Sequence, residues 1–227
     1  MDWTTTGDPN VPEGAAPPLL RPLPEAVPAE LRSIARWVGW KARLKLHGKL
    51  DKLPCSPHTG SVGDVHDPTS WGSFEQAVAA MRRYRLDGIG IVLNGEDSLV
   101  GVDLDGCIDD AGTIAPWAQE IITELDSYTE RSPSGRGLRL FAFGGLPAGR
   151  RKVGDLEMYD DVRFLTVTGR QLAGTPTTVA PAGTSARTTL PAPVVLPWPS
   201  DTGARRMVPT PKKAPAPTVV RCFTVPS

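Results

Sequence analysis

Apolar positions along the chain follow two periods, and the switches between them mark out elements. Residues 74–83, Phe-Glu-Gln-Ala-Val-Ala-Ala-Met-Arg-Arg, repeat at helical spacing. Ser73 stands before them as an N-cap, with Gln76 three residues on in capping-box position. Residues 116–125 form a second amphipathic helix, with Trp117, Ile121, Ile122 and Leu125 on one stripe. A shorter helix is predicted from Val27 to Arg36, with proline near its start. Strands are predicted where β-branched, aromatic or alternating runs occur. These are 37–43, 88–93, 99–105, 138–143, 155–159 and 163–168. Asn94-Gly95-Glu96-Asp97 reads as a tight hairpin turn between the second and third of them.

Between these elements the pattern fades. Residues 45–60 contain two prolines and three lysines and read as an ordered loop. Residues 1–27 are rich in Pro, Gly and Ala and read as a flexible leader. Residues 172–227 read as a disordered, proline-rich tail. The remaining 28–171 make one α+β domain of ordinary size.

Charge changes this picture only in its distribution. The 227 residues carry 25 basic and 25 acidic side chains, yet six basic residues face a single acid after Arg170. A basic tail therefore follows an acidic body, which suits a body that binds cations. Cys55, Cys107 and Cys222 form no CxxC pair and no even set, so free thiols and a reducing cytoplasm are expected rather than zinc or disulfides. The N-terminal residues have no basic start and apolar core of a signal peptide, and no run reaches the length of a membrane span. No membrane partner is expected.

The candidate chemistry begins at Leu99-Val-Gly-Val-Asp103-Leu-Asp105. A strand of this sequence sets Asp103 and Asp105 on one face and Leu104 on the other. Taken alone, the pair also fits a solvent-exposed strand end. Two carboxylates that close repel each other unless a cation joins them, and a hard divalent ion binds through carboxylates and substrate phosphates. A second feature is Ser132-Pro-Ser134-Gly135-Arg136-Gly137-Leu-Arg139, whose small residues let backbone N–H groups approach an anion while two arginines add charge. A third is Glu157, which alternates with Leu156 and Met158. Carboxylate pair, glycine–arginine loop and single carboxylate, in that order, suit phosphoryl transfer with divalent cations. Lys52 reads equally as a solvated lysine or as a phosphate contact.

Seven ordered segments within residues 28–170 resemble the primase-polymerases of the archaeo-eukaryotic primase superfamily, phage and plasmid type. They are Trp37-Val-Gly-Trp40, Lys52-Leu-Pro54-Cys-Ser-Pro57-His-Thr-Gly60, Asp67-Pro-Thr-Ser-Trp71, Asp87-Gly-Ile-Gly90, Val100-Gly-Val-Asp103-Leu-Asp105, Tyr128-Thr-Glu-Arg-Ser-Pro-Ser134-Gly-Arg-Gly137, and Glu157-Met-Tyr-Asp160 with Arg163-Phe-Leu-Thr-Val-Thr-Gly169. The resemblance implies a mixed or antiparallel, RNA-recognition-like sheet that carries the acids and is flanked by helices. It implies two-metal-ion nucleotidyl transfer, with Asp103, Asp105 and Glu157 binding Mg²⁺ or Mn²⁺. Ser134 and Gly135 would contact the incoming nucleoside triphosphate, and Arg136, Arg139, Lys52 and Arg163 complete the candidate nucleotide-binding set. The implied partners are a single-stranded DNA template and a replicative helicase, in replication of phage, plasmid or mobile-element DNA. One position departs from the family pattern. Its second motif ends in histidine where this chain has Arg139. Arginine binds phosphate but does not exchange a proton near neutrality. The alternative is therefore a non-catalytic module that binds nucleotide or single-stranded nucleic acid.

Overall fold

The computed structural model describes residues 19–45, 50–146 and 149–181. It is an α+β fold of two antiparallel sheets. The strands are β1 (Trp37–Leu44), β2 (Leu50–Cys55), β3 (Gly88–Leu93), β4 (Leu99–Leu104), β5 (Thr129–Arg131), β6 (Leu138–Phe143), β7 (Lys152–Val153), β8 (Leu156–Tyr159) and β9 (Arg163–Val167). The helices are α1 (Ala29–Arg32), α2 (Phe74–Arg83) and α3 (Pro116–Leu125). The first sheet runs β2-β1-β3-β9 and the second β5-β6-β4-β8-β7.

Period-two alternation in the second sheet decides what each face does. Val100, Val102 and Leu104 of β4, Leu138 and Leu140 of β6, and Leu156 and Met158 of β8 share one core cluster with Ala118, Ile122 and Leu125 of α3. The intervening residues Leu99 and Phe141 turn the other way and join Leu93 and Leu165 of the first sheet in a second cluster. The second sheet is thus covered by α3 on one face and by the first sheet on the other. Any polar residue at an odd position of β4, β6 or β8 must therefore stand between the sheets or at their rim.

Several elements differ from the sequence reading, each for a physical reason. The turn at Asn94–Asp97 does not close a hairpin. β3 already has β1 and β9 at its two edges, and β4 has β6 and β8, so neither has an edge to offer the other. The turn instead carries the chain from one sheet to the next, with Gly95 and Ser98 both at positive φ. Residues 50–55 are a strand, not loop: β2 pairs with β1, Ala42 opposite Lys52 and Trp40 opposite Pro54. Pro54 is tolerated because β2 is an edge strand. The first helix shrinks to Ala29–Arg32, and the short strands β5 and β7 give no periodicity long enough to read.

The domain also extends past both expected boundaries. Leu23 N–H donates to the Thr168 carbonyl at 2.7 Å, and Val27 is buried. Residues 172–181, expected to be tail, dock on the core: Tyr128 N–H donates to Thr178 O at 3.1 Å, Phe143 N–H to Ala180 O at 3.0 Å, and Val179 is buried. The rest of the expected leader and tail, together with Lys49 and Cys222, lies outside the described residues. The capping box on α2 forms as read, with Ser73 Oγ accepting from Gln76 N–H at 3.2 Å and Gln76 Oε1 accepting from Ser73 N–H at 2.8 Å. Cys55 and Cys107 are free thiols.

Gly169 ties the leader to the strand ends. It adopts φ +68, and a β-carbon there would run into the backbone carbonyl of Leu23. Gly169→Ala is expected to lower the unfolding free energy by about 1–3 kcal/mol from backbone strain alone. Urea unfolding of the two proteins checks this, and an unchanged midpoint would refute it.

Candidate active site

Register sets the site. In adjacent antiparallel strands, directly opposed residues point to the same face. Asp103 on β4 lies opposite Arg139 on β6 and opposite Glu157 on β8. Arg139 in turn lies opposite Glu130 on β5, and Glu157 opposite Lys152 on β7. One row across all five strands therefore reads Glu130, Arg139, Asp103, Glu157, Lys152. All five project from the face that looks toward the first sheet.

The row is stitched together by ion pairs. Arg139 Nη2 donates to Asp103 Oδ2 at 3.2 Å, with the arginine side chain only 4% exposed and the aspartate 15%. Arg139 Nη1 donates across the sheet gap to the carbonyl and the hydroxyl of Thr166 on β9. Lys152 Nζ pairs with Glu157 Oε1, and the Tyr159 hydroxyl donates to Glu157 Oε2 at 2.7 Å. Arg163 stacks over the Tyr159 ring at 4.5 Å and its guanidinium lies 3.8 Å from Glu157. A cleft of about 240 Å³ opens here, lined by Lys52, Asp103, Arg139, Glu157, Tyr159 and Arg163 among others.

Of the residues singled out by sequence, the cleft brings together Asp103, Glu157, Arg139, Lys52 and Arg163. Asp105 sits one residue past the end of β4, close enough to feel them. Burial raises its carboxyl above the usual range, the charges of Asp103 and Glu157 raise it further, and Arg139 and Lys52 oppose them. The Ser132–Gly137 loop abuts this end of β4, for a β-carbon on Gly137 would lie 2.7 Å from the Leu104 carbonyl oxygen. Ser134 Oγ is 3.1 Å from Ser132 Oγ, and Gly135 takes φ +74. Arg136 points elsewhere and pairs with Asp110 at the surface. Tyr159, Thr166 and Lys152 were not given roles from sequence. Tyr159 had a usable signal, standing two residues from Glu157 and hence on its face.

Electrostatics in the cleft is nearly self-balanced. Lys52 loses hydration on burial and faces Arg139, so its ammonium falls to about 8, with Asp103 and Asp105 pulling the other way. Desolvation would raise Glu157, but hydrogen bonds from Lys152 and Tyr159 and the charges of Lys152 and Arg163 outweigh it, leaving the carboxyl below its usual range. Among the described residues, no three His, Cys, Asp or Glu side chains form a ready ligand set for a metal ion. Arg139 takes Asp103 Oδ2, and Lys152 takes Glu157 Oε1. Asp103 Oδ1 is nevertheless buried with no hydrogen-bond partner. A buried, unpartnered carboxylate oxygen costs free energy unless a donor or cation meets it. As a carboxylate oxygen it is a hard donor, the kind that Mg²⁺ or Mn²⁺ takes.

Fold and site together define an α+β domain whose antiparallel sheet carries an acidic cleft rimmed by basic side chains. Comparison with known proteins bears on its class. Over 151 residues, 63% of the chain, it is 36% identical to a DNA primase-polymerase of Nitratiruptor phage NrS-1. That likeness supports a primase-polymerase domain of the phage type. The chain spans 20% of the length of this curated relative. No protein-family model matches the chain. No helix among the described residues is long and apolar enough to cross a membrane.

Glu130, behind Arg139, is fully buried. Burial raises its carboxyl to about 7, although Thr168 N–H, Gly169 N–H and the Tyr128 hydroxyl all donate to it. In the unfolded chain a glutamate titrates near 4.3. Folding thus takes up a proton between these values, and the stability from this group is complete below about 4.3 and lost as pH rises toward 7. Wild-type unfolding free energy, measured in urea from pH 5 to 8, is expected to fall with pH more steeply than that of Glu130→Gln. Parallel slopes would contradict this assignment.

Proposed function

We propose that this chain is a template-dependent nucleotidyltransferase, a DNA primase-polymerase that joins nucleoside triphosphates on single-stranded DNA. Asp103 Oδ1 carries the reading: a carboxylate oxygen buried without a partner in a cleft that also holds Glu157 and Lys52. Asp103, Asp105 and Glu157 would hold the Mg²⁺ or Mn²⁺ ions of a two-metal site. Bound there, divalent cations would neutralise phosphate charge and activate the primer hydroxyl.

The chain's own residues do the rest. Lys52 and Arg163, from opposite edges of the first sheet, present cations to the triphosphate. Ser134 and Gly135 offer small, close-approaching backbone beside the end of β4. Arg139 fixes the Asp103 carboxylate and, through Thr166, its distance from the first sheet. Tyr159 holds one Glu157 oxygen so that the carboxylate keeps its orientation. Replication of phage, plasmid or mobile-element DNA is the setting that such an activity serves.

A second reading has its own observation. Asp103 and Glu157 are already paired with Arg139 and Lys152, as in a module that binds nucleotide without turnover. Incorporation of labelled nucleotides on a primed single-stranded template, with Mg²⁺ and with Mn²⁺, separates the two. Asp103→Asn is expected to reduce incorporation at least a hundredfold, and equal incorporation by wild type and variant would exclude catalysis at this site. A wild type without turnover that gains it on Arg139→His would favour the second reading.

Lys52 adds a pH dependence. Its ammonium is charged below about 8 and neutral above. Affinity for a fluorescent nucleoside triphosphate is expected to weaken severalfold between pH 7 and 9 in wild type. In Lys52→Arg, charged throughout, it should stay flat over that range.

A further inference from the structure

A larger cleft, of about 760 Å³, lies between residues 19–25 and the C-terminal end of α2. It shares no lining residue with the acidic cleft. Three arginines line it: Arg21 from the N-terminal segment, and Arg82 and Arg85 from the end of α2 and the turn after it. All three are exposed, and none has an ion pair among the described residues. Of the two acids there, Asp87 is engaged by Lys41 at 3.3 Å and by Ala42 N–H at 2.7 Å. Glu25 alone is left to oppose three guanidinium groups.

Arg82 has a structural explanation, since a cation in the last helical turn complements the helix dipole. Arg85 has none. Tyr84 N–H donates to Ala80 O at 2.8 Å and Leu86 N–H to Met81 O at 3.0 Å. The second of these is the 6→1 bond of a Schellman-type closure, whose left-handed position is normally glycine. Here Arg85 occupies it at φ +52. A left-handed backbone is unfavourable for a side-chain-bearing residue; here the Arg85 carbonyl accepts from Lys41 Nζ at 2.9 Å while its side chain lines the groove.

The N-terminal segment that walls the groove also touches the Ser132–Gly137 loop. Leu20 N–H donates to Pro133 O at 2.8 Å, inside the Ser132–Gly137 loop. One residue on, the Arg21 carbonyl accepts from Arg170 Nε at 2.8 Å. Residues 19–23 thus run from the loop to the arginines. Exposed guanidinium groups without a fixed hydrogen-bonded pocket suit successive backbone phosphates, which need charge rather than a single geometry. Leu19, Met81 and Leu86 supply an apolar wall for sugars and bases.

We infer that the groove between residues 19–25 and the end of α2 binds the phosphate backbone of single-stranded nucleic acid through Arg21, Arg82 and Arg85. The inference rests on the proposed function for its choice of strand, and it names the surface that would deliver the template toward the nucleotide loop.

The test uses the full chain and a fluorescein-labelled oligothymidylate, with anisotropy read over a salt series. Replacing Arg21, Arg82 and Arg85 together by Ala is expected to weaken binding at least tenfold at about 0.1 M salt. It should also lower the slope of log affinity against log salt by about 2, at roughly 0.7 per phosphate contact. Arg85→Gly should raise the urea midpoint while weakening the strand, a combination that a purely structural residue would not give. Unchanged affinity and slope in the triple variant would overturn the inference, as would arginine-dependent capture of anionic vesicles in place of the oligonucleotide. Nucleotide binding in the acidic cleft should be untouched by the triple variant. If Lys52→Ala fails to lower it, the proposed function suffers and the groove stands.

Discussion

The buried guanidinium of Arg139 is the interaction that the site and the sheet packing share. A charge removed from water must be met by opposite charge and by acceptors, or the fold loses several kcal/mol. Arg139 finds Asp103 beside it on β4 and Thr166 across the gap on β9. It therefore does two things at once. It neutralises a carboxylate that the strand register forces inward, and it spans from the second sheet to the first. Glu130, its neighbour on the other flank, is held by the backbone N–H groups of Thr168 and Gly169. The polar chain thus runs from the strand ends into the cleft, and the apolar cluster around Leu93, Phe141 and Leu165 continues the contact between the sheets.

The same balance governs what the cleft can do. Three carboxylates near one another would repel in a low-dielectric gap. Here Arg139 and Lys152 each take one oxygen, and Lys52 stands opposite. Without a hydrogen-bond partner in the cleft stand one oxygen of Asp103 and the Arg139 Nε, and the Asp105 carboxyl is raised by desolvation and by its neighbours. A cleft whose carboxylates are already met by Arg139, Lys152, Arg163 and Lys52 is stable when empty, and a divalent cation or a triphosphate entering it would exchange with these internal partners. Arg139 is part of this charge balance and, as an arginine, is not a group that moves protons near neutrality.

Much of the site was legible because its signals are local. Alternation in 99–105 announces the inward Asp103, though β4 ends at Leu104 and leaves Asp105 exposed just past it, and alternation in 155–159 sets Glu157 against Leu156 and Met158. Ser73 and Gln76 declare the start of α2 within four residues. Where the reading failed, the deciding fact was non-local. Lys52 reads as loop because nothing in 45–60 shows that β1 offers it an edge. Residues 172–181 read as tail because their partners, Tyr128, Phe143 and the Ser127 hydroxyl, lie some forty or fifty residues away. Arg136 reads as a phosphate ligand because Asp110 gives no local hint of being its partner.

By itself, then, the order of residues determined the strand faces, the capped helix, the three acids and their likeness to a polymerase family, since each depends on spacing along one segment. The tertiary structure alone decided that β3 and β4 belong to different sheets and that Asp103 is flanked by Arg139 and Glu157. It also decided that Lys52 closes the cleft from a strand at the far edge. Those outcomes depend on which edges are free and on register between distant strands, and pairing energies of that kind are settled only when the whole chain competes for the same partners.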